Sequence, residues 1–121
     1  MFFFKRKQDS EGRLGEPSRR QHKRILYDFP VYMIVGQKHF QRYSKTLSPG
    51  GLYVATSFEL PLDTLLHLRI GTENRYRFIE ASGSVLYNHT GIGMGIRFVR
   101  LSPEDKRKIL AIIEKSWSQE V

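Results

Sequence analysis

From residue 29 onward hydrophobic and polar positions alternate with a period of two, and only the last stretch switches to helical spacing. Val31, Met33 and Val35 alternate with Tyr32 and Ile34, which predicts a strand ended by the turn Gly36-Gln37. His39 to Ser44 alternates aromatic and polar residues until Leu47-Ser48-Pro49-Gly50-Gly51 interrupts it. Leu52 to Thr56 is a third predicted strand. Thr64 to Ile70 is a fourth, with Leu66, Leu68 and Ile70 on one face and His67 and Arg69 on the other. Tyr76 to Tyr87 is long for a strand and holds Gly83, which predicts a bulge or a barrel corner. Ile92, Met94, Ile96 and Phe98 then read as an apolar face opposite Gly93, Gly95 and Arg97. Ser102-Pro103-Glu104-Asp105 has a capping serine, a proline at the first helical position and acids against the dipole, so a helix is predicted over 103–118. Ile109, Leu110, Ile112, Ile113 and Trp117 give it an apolar face. The expected fold is mainly β: a small six-stranded antiparallel barrel, closed or plugged by a C-terminal α-helix.

Charge changes the picture at one end. The 121 residues carry a formal charge of +8, and residues 1–24 hold eight Lys/Arg against three acids. The basicity therefore sits in the N-terminal segment and its junction with the barrel, which implies an anionic partner met there: nucleotide, nucleic acid or an anionic membrane surface. Residues 5–18 are polar and contain Gly12, Gly15 and Pro17, so residues 1–18 are expected to be a flexible tail and 19–121 the domain. Phe2-Phe3-Phe4 is an apolar tip on that tail, expected to dock on a partner or fold back. The run is too short for a signal peptide and its cations follow it. No stretch approaches the roughly 20 apolar residues of a membrane span. Cysteine is absent, so there is neither a disulfide framework nor a thiolate metal site. The chain reads as a soluble cytoplasmic protein.

Two stretches carry candidate chemistry. Arg19-Arg20-Gln21-His22-Lys23-Arg24 places four cations in six residues, and arginine's planar fork pairs bidentately with phosphate or with a guanine edge. Thr46-Leu47-Ser48-Pro49-Gly50-Gly51 offers two hydroxyls, plus two glycines that permit positive φ and let a ligand approach bare amides. Taken alone, the first is a solvated basic run and the second a glycine-rich hairpin loop.

Together they resemble the PilZ domain family, receptors for the bacterial second messenger cyclic di-GMP. The family pattern is R-x-x-x-R just before a split β-barrel, then [D/N]-x-S-x-x-G after the second strand. Arg20 and Arg24 supply the first part, and Arg19 adds the extra arginine of many members. Ser48 and Gly51 supply the second, with Thr46 at the acid/amide position. Gly91 to Phe98 and Leu101 to Asp105 extend the likeness over residues 19–121. The resemblance implies a cyclic di-GMP site at Arg19, Arg20, Arg24, Thr46, Ser48, Gly50 and Gly51, without metal or cofactor. It also implies a stacked pair of ligands where Arg19 is present, an as yet unidentified protein effector as the output, and roles such as motility or biofilm regulation. Threonine at 46 offers one short hydroxyl where the family has an acid or amide, which weakens binding by roughly ten- to a hundred-fold if a charge-assisted bond is lost.

Other readings carry less. His22, His39, His67 and His89 fall in no metal-ligand spacing, Ser48 lacks the glycine that a nucleophile elbow needs two residues before it, and Gly91-x-Gly93-x-Gly95 opens a strand instead of a helix. Catalysis is not expected. Tyr32, Phe40, Tyr43, Tyr53, Tyr76 and Phe78 would be the stacking platform of a single-stranded nucleic-acid-binding barrel, a reading weakened by cations that cluster in a linker instead of tracking those strands. A degenerate PilZ-like interaction module that binds no nucleotide is the remaining alternative.

Overall fold

The structure is a computed structural model and describes residues 24–119. The predicted tail, the Phe2–Phe4 tip, Arg19, Arg20 and His22 lie outside the described residues. Among the described residues seven strands and one helix follow in chain order: β1 (Ile25–Leu26), β2 (Pro30–Val35), β3 (Lys38–Ser48), β4 (Gly51–Ala55), β5 (Leu65–Gly71), β6 (Phe78–His89), β7 (Gly93–Leu101) and α1 (Pro103–Gln119). All pairings are antiparallel, in the order β1-β3-β2-β5-β6-β7-β4, and β4 returns to pair with β3. Six strands thus close into a barrel, and β1 lies on β3 beyond the end of β2.

The period-two pattern explains the interior. Val31 and Met33, Leu66, Leu68 and Ile70, Leu52 and Val54, and Met94 and Ile96 are all buried and pack as one core. Ile109 and Ile113 of α1 join that core, as helical spacing predicts, whereas Leu110 is exposed and belongs to the outer face of the helix. The helix start is capped as expected: Ser102 Oγ accepts from Asp105 N at 3.0 Å and donates to Asp105 Oδ2 at 2.8 Å.

Several boundaries differ from the pattern. The second predicted strand does not stop at Ser44 but runs on to Ser48, because one half of β3 pairs with β2 and the other with β1 and β4. Ile92 is 65% exposed in the turn before β7, so the apolar face there begins at Met94. Tyr76 also lies in a turn, and β6 starts at Phe78. The short strand β1 was not expected at all. It is separated from β2 by Tyr27–Phe29, and the fully buried Ser44 hydroxyl bridges this break: it donates to Tyr27 O and accepts from Phe29 N at 3.1 Å. Backbone groups that would otherwise be stranded in the core edge are thereby satisfied.

Tyr27 fixes the same segment from inside, its hydroxyl donating to Gly71 O at 2.7 Å. Burial, reinforced by the nearby Glu73 carboxylate, pushes the phenol from its ordinary value of 10.0 up to about 12. The raised value means that folding favours the neutral phenol. The contribution of Tyr27 is therefore complete below pH 10 and is lost as pH rises towards 12. In alkaline unfolding curves followed by circular dichroism, Tyr27→Phe should flatten the loss of stability over that interval. Ser44→Ala should lower unfolding stability in urea by about 1–3 kcal/mol, because two backbone groups lose their partner.

Candidate ligand-binding site

Two of the three register shifts in the sheet, one in β3 and one in β6, set which residues this side of the barrel displays. Between Ser44 and Thr46 the β3–β4 register shifts, leaving Lys45 unpaired, and between Val85 and Tyr87 the β6–β7 register shifts, leaving Leu86 unpaired. Each shift moves the following residues by one step of the pleat, so they change faces. Without the second bulge, Tyr87 and His89 would follow Gly83 and Val85 into the core. With it, one row runs across five strands on the outer surface: Leu26, Thr46, Tyr53, Gly95, Tyr87.

Along this row three rings cluster. Tyr53 and Tyr87 lie 6.2 Å apart, Tyr87 and His89 4.9 Å, and Tyr53 and His89 5.6 Å between centroids. Tyr53 Oη and His89 Nδ1 are 2.9 Å apart, a hydrogen bond that fixes the two rings relative to each other. The rings rest on bare backbone. A Cβ added to Gly93 would overlap the Tyr53 ring, and one added to Gly95 the Tyr87 ring. The two glycines of β7 thus make room for two named side chains. Burial raises the pKa of both phenols, and at Tyr87 this is partly offset by Arg24, whose guanidinium hydrogen-bonds to it. Arg24 thus stands beside the aromatic cluster.

The adjacent outer row contains Ser48, Gly51, Arg97 and Ser84. Ser48 is buried, and its Oγ accepts from Gly50 N at 3.3 Å and lies 3.4 Å from Gly51 O, tying the turn together. Gly50 is exposed with open space where a side chain would be. Neither Gly50 nor Gly51 adopts positive φ, contrary to the reason anticipated for them. Gly51 is needed because a Cβ there would collide with Ile96 O on β7. Thr46 sits on a strand instead of in a loop, and its buried Oγ1 has no hydrogen-bond partner among the described residues.

The PilZ domain family matches residues 18–115. The chain belongs to that family. Similar solved structures include the Bacillus subtilis inhibitor of motility MotI/DgrA (TM-score 0.73, 19% identity, 85% of this chain and 54% of that one). They also include the PilZ domain of YcgR from Escherichia coli with c-di-GMP (TM-score 0.65, 15% identity, 84% and 94%). A third is PlzA from Borreliella burgdorferi in complex with c-di-GMP (TM-score 0.57, 13% identity, 86% and 55%). The chain spans about half the length of MotI. No curated protein sequence matches it.

Within this PilZ barrel, Thr46, Ser48, Gly50 and Gly51 fall on two neighbouring outer rows or their connecting turn, and Arg24, just before β1, reaches the face through Tyr87; Arg19 and Arg20 are outside the described residues. Tyr53, Tyr87, His89 and Arg97 share the face, and sequence reasoning did not assign them to the site. Alternation marks Arg97 as facing away from Ile96, but nothing in the linear order sets it against Gly51. The residues imagined as a nucleic-acid platform disperse: Phe40 packs on Phe58, Tyr32 meets Phe78 on another face, and Tyr53 belongs to the cluster above. Among the described residues no three His, Cys, Asp or Glu side chains are grouped to hold a metal, and no helix is long and apolar enough to cross a membrane.

Gly51→Ala tests the packing of this turn. Because the obstacle is backbone of the adjoining strand, the variant should lose about 1–3 kcal/mol in urea unfolding, whereas Gly50→Ala should stay within about 0.5 kcal/mol of the parent.

Proposed function

We propose that the chain is a cytoplasmic cyclic di-GMP receptor that acts by binding and not by catalysis. The observation that carries this reading is the outer-face cluster of Tyr53, Tyr87 and His89 beside Arg24 and the Ser48–Gly51 turn. A cyclic dinucleotide presents flat guanines and two phosphates. The tyrosine rings, backed by Gly93 and Gly95, offer a surface on which a purine can stack, and such stacking contributes about 1–3 kcal/mol per base. Arg24 stands at the edge of these rings, within reach of a guanine O6/N7 edge or a phosphate oxygen. The exposed turn at Gly50 lets a ligand approach the backbone closely. Membership of the PilZ family supports the reading, as do YcgR and PlzA, which are described with c-di-GMP bound.

In this mechanism Arg19 and Arg20 complete the arginine set, and the conformation of that segment changes when they reach the ligand. The change is the signal passed to a protein effector, and Arg19 supports a stacked pair of nucleotides. A second reading, an interaction module without nucleotide, is favoured by one observation: Thr46, at the acid/amide position, has its hydroxyl buried and unpaired among the described residues. A hydroxyl so placed cannot brace an arginine as a carboxylate would.

Isothermal titration of the purified chain with cyclic di-GMP, with GTP and a short single-stranded RNA as controls, separates the two. The receptor reading expects selective binding with Kd of about 1–10 μM or tighter. Arg20→Ala and Arg24→Ala should each weaken it roughly ten- to a hundred-fold, and Tyr87→Ala at least about fivefold, with thermal stability nearly unchanged for the two arginine variants. Thr46→Asp should tighten it. Silence towards the dinucleotide in both parent and Thr46→Asp would leave the interaction module, and binding of RNA alone would overturn both.

A further inference from the structure

Away from the tyrosine cluster, β2, β5 and the first half of β6 form another outer face. Two neighbouring rows cross it: Gln41, Tyr32, Arg69, Glu80, and His39, Ile34, His67, Ser82, Arg100. Between them Tyr32, Ile34, His39, His67, Arg69 and Phe78 line a cavity of about 570 Å³. That is large enough for the side chains of a short peptide segment.

The chemistry of this cavity is polarised around one acid. Glu80 is the sole carboxylate in either row, and it takes both His67 Nε2 at 2.9 Å and Arg69 Nε at 2.7 Å. The Arg69 guanidinium also lies over the Phe78 ring, 5.3 Å from its centroid, and Tyr32 meets Phe78 edge-on at 6.2 Å. Arg69 is therefore held in place on two sides. Its only hydrogen bond to a described residue uses Nε, so the terminal nitrogens keep their donors. The strand beneath is itself fastened: Glu80 N donates to Asp105 Oδ1 at 3.3 Å, and Lys108 Nζ to Phe78 O at 3.1 Å, which pins the start of β6 to the first turns of α1.

A guanidinium fork fixed beside an aromatic-walled cavity fits a carboxylate followed by an apolar side chain. We propose that this face is a docking surface for an acidic protein segment. One aspartate or glutamate of the partner pairs with the terminal nitrogens of Arg69, and a neighbouring apolar side chain enters the cavity beside Tyr32 and Ile34. Charge decides between partner classes. Arg69 and Arg100 are the only permanently charged cations in the two rows, too few to neutralise a run of phosphates. A short acidic polypeptide needs only one such pair and tolerates Glu80, which remains occupied by His67 and the Nε of Arg69. The surface does not depend on the nucleotide reading, since it shares no residue with the tyrosine cluster. It is joined to that cluster by β6, which carries Glu80 and Ser82 here and Tyr87 and His89 there.

The test titrates an acetylated pentapeptide, phenylalanine flanked on each side by two aspartates, into the nitrogen-15-labelled full chain and follows the amide signals. Binding should shift Ile34, His67 and Arg69, weaken at least about tenfold in Arg69→Ala with signal dispersion retained, and vanish when asparagine replaces the aspartates. The proposal is overturned if millimolar peptide shifts none of these amides, if Arg69→Ala leaves the affinity unchanged, or if an oligodeoxythymidine shifts the same amides more strongly than the peptide does.

Discussion

A closed six-stranded barrel requires that each strand stay in step with two neighbours at once, so that its inward residues meet inward residues on both sides. In this chain that step is reset by single extra residues, Lys45 in β3, Leu86 in β6 and Val99 in β7. Everything on the candidate ligand face follows from these resets. Lys45 separates Ser44, which looks inward to bridge Tyr27 and Phe29, from Thr46, which looks outward to Tyr53. Leu86 separates Val85 in the core from Tyr87 on the surface.

The face so created joins two ordinarily opposed properties. Large rings are exposed enough to meet a ligand yet fixed well enough to be pre-organised. Glycine does this: at Gly93 and Gly95 the missing Cβ lets Tyr53 and Tyr87 settle against the backbone, and the Tyr53–His89 hydrogen bond limits their rotation. Arg24 and Arg97 add permanent positive charge to the same face. Thr46 fits poorly, with a buried hydroxyl that has no hydrogen-bond partner among the described residues.

β6 gives the molecule its continuity. One end is clamped to α1 through Asp105 and Lys108 and displays Glu80 between His67 and Arg69; the other carries Tyr87 and His89. A ligand at one end and a protein at the other would therefore hold the same strand. The strand is paired with β5 over its first half, Phe78–Ser84, and with β7 over Ala81–His89.

Much of this architecture was legible in the linear order. The apolar pattern anticipated six of the strands, β2 to β7, and most of their buried faces, since residues such as Leu66, Leu68 and Ile70 have nowhere to go but inward. Ser102-Pro103 and the spacing of Ile109 and Ile113 determined the helix, because caps and a 3.6-residue period are local properties. The ordered arginine and serine–glycine motifs were sufficient to name the family. The strand β1, the continuation of β3 through Thr46 to Ser48, and the exposure of Ile92 came only with pairing, which long-range hydrogen bonds decide. The tertiary structure alone brought Tyr53, Tyr87, His89 and Arg97 to one face. Their facing depends on a one-residue bulge and on partners some forty positions away, and no local pattern in the sequence encodes either.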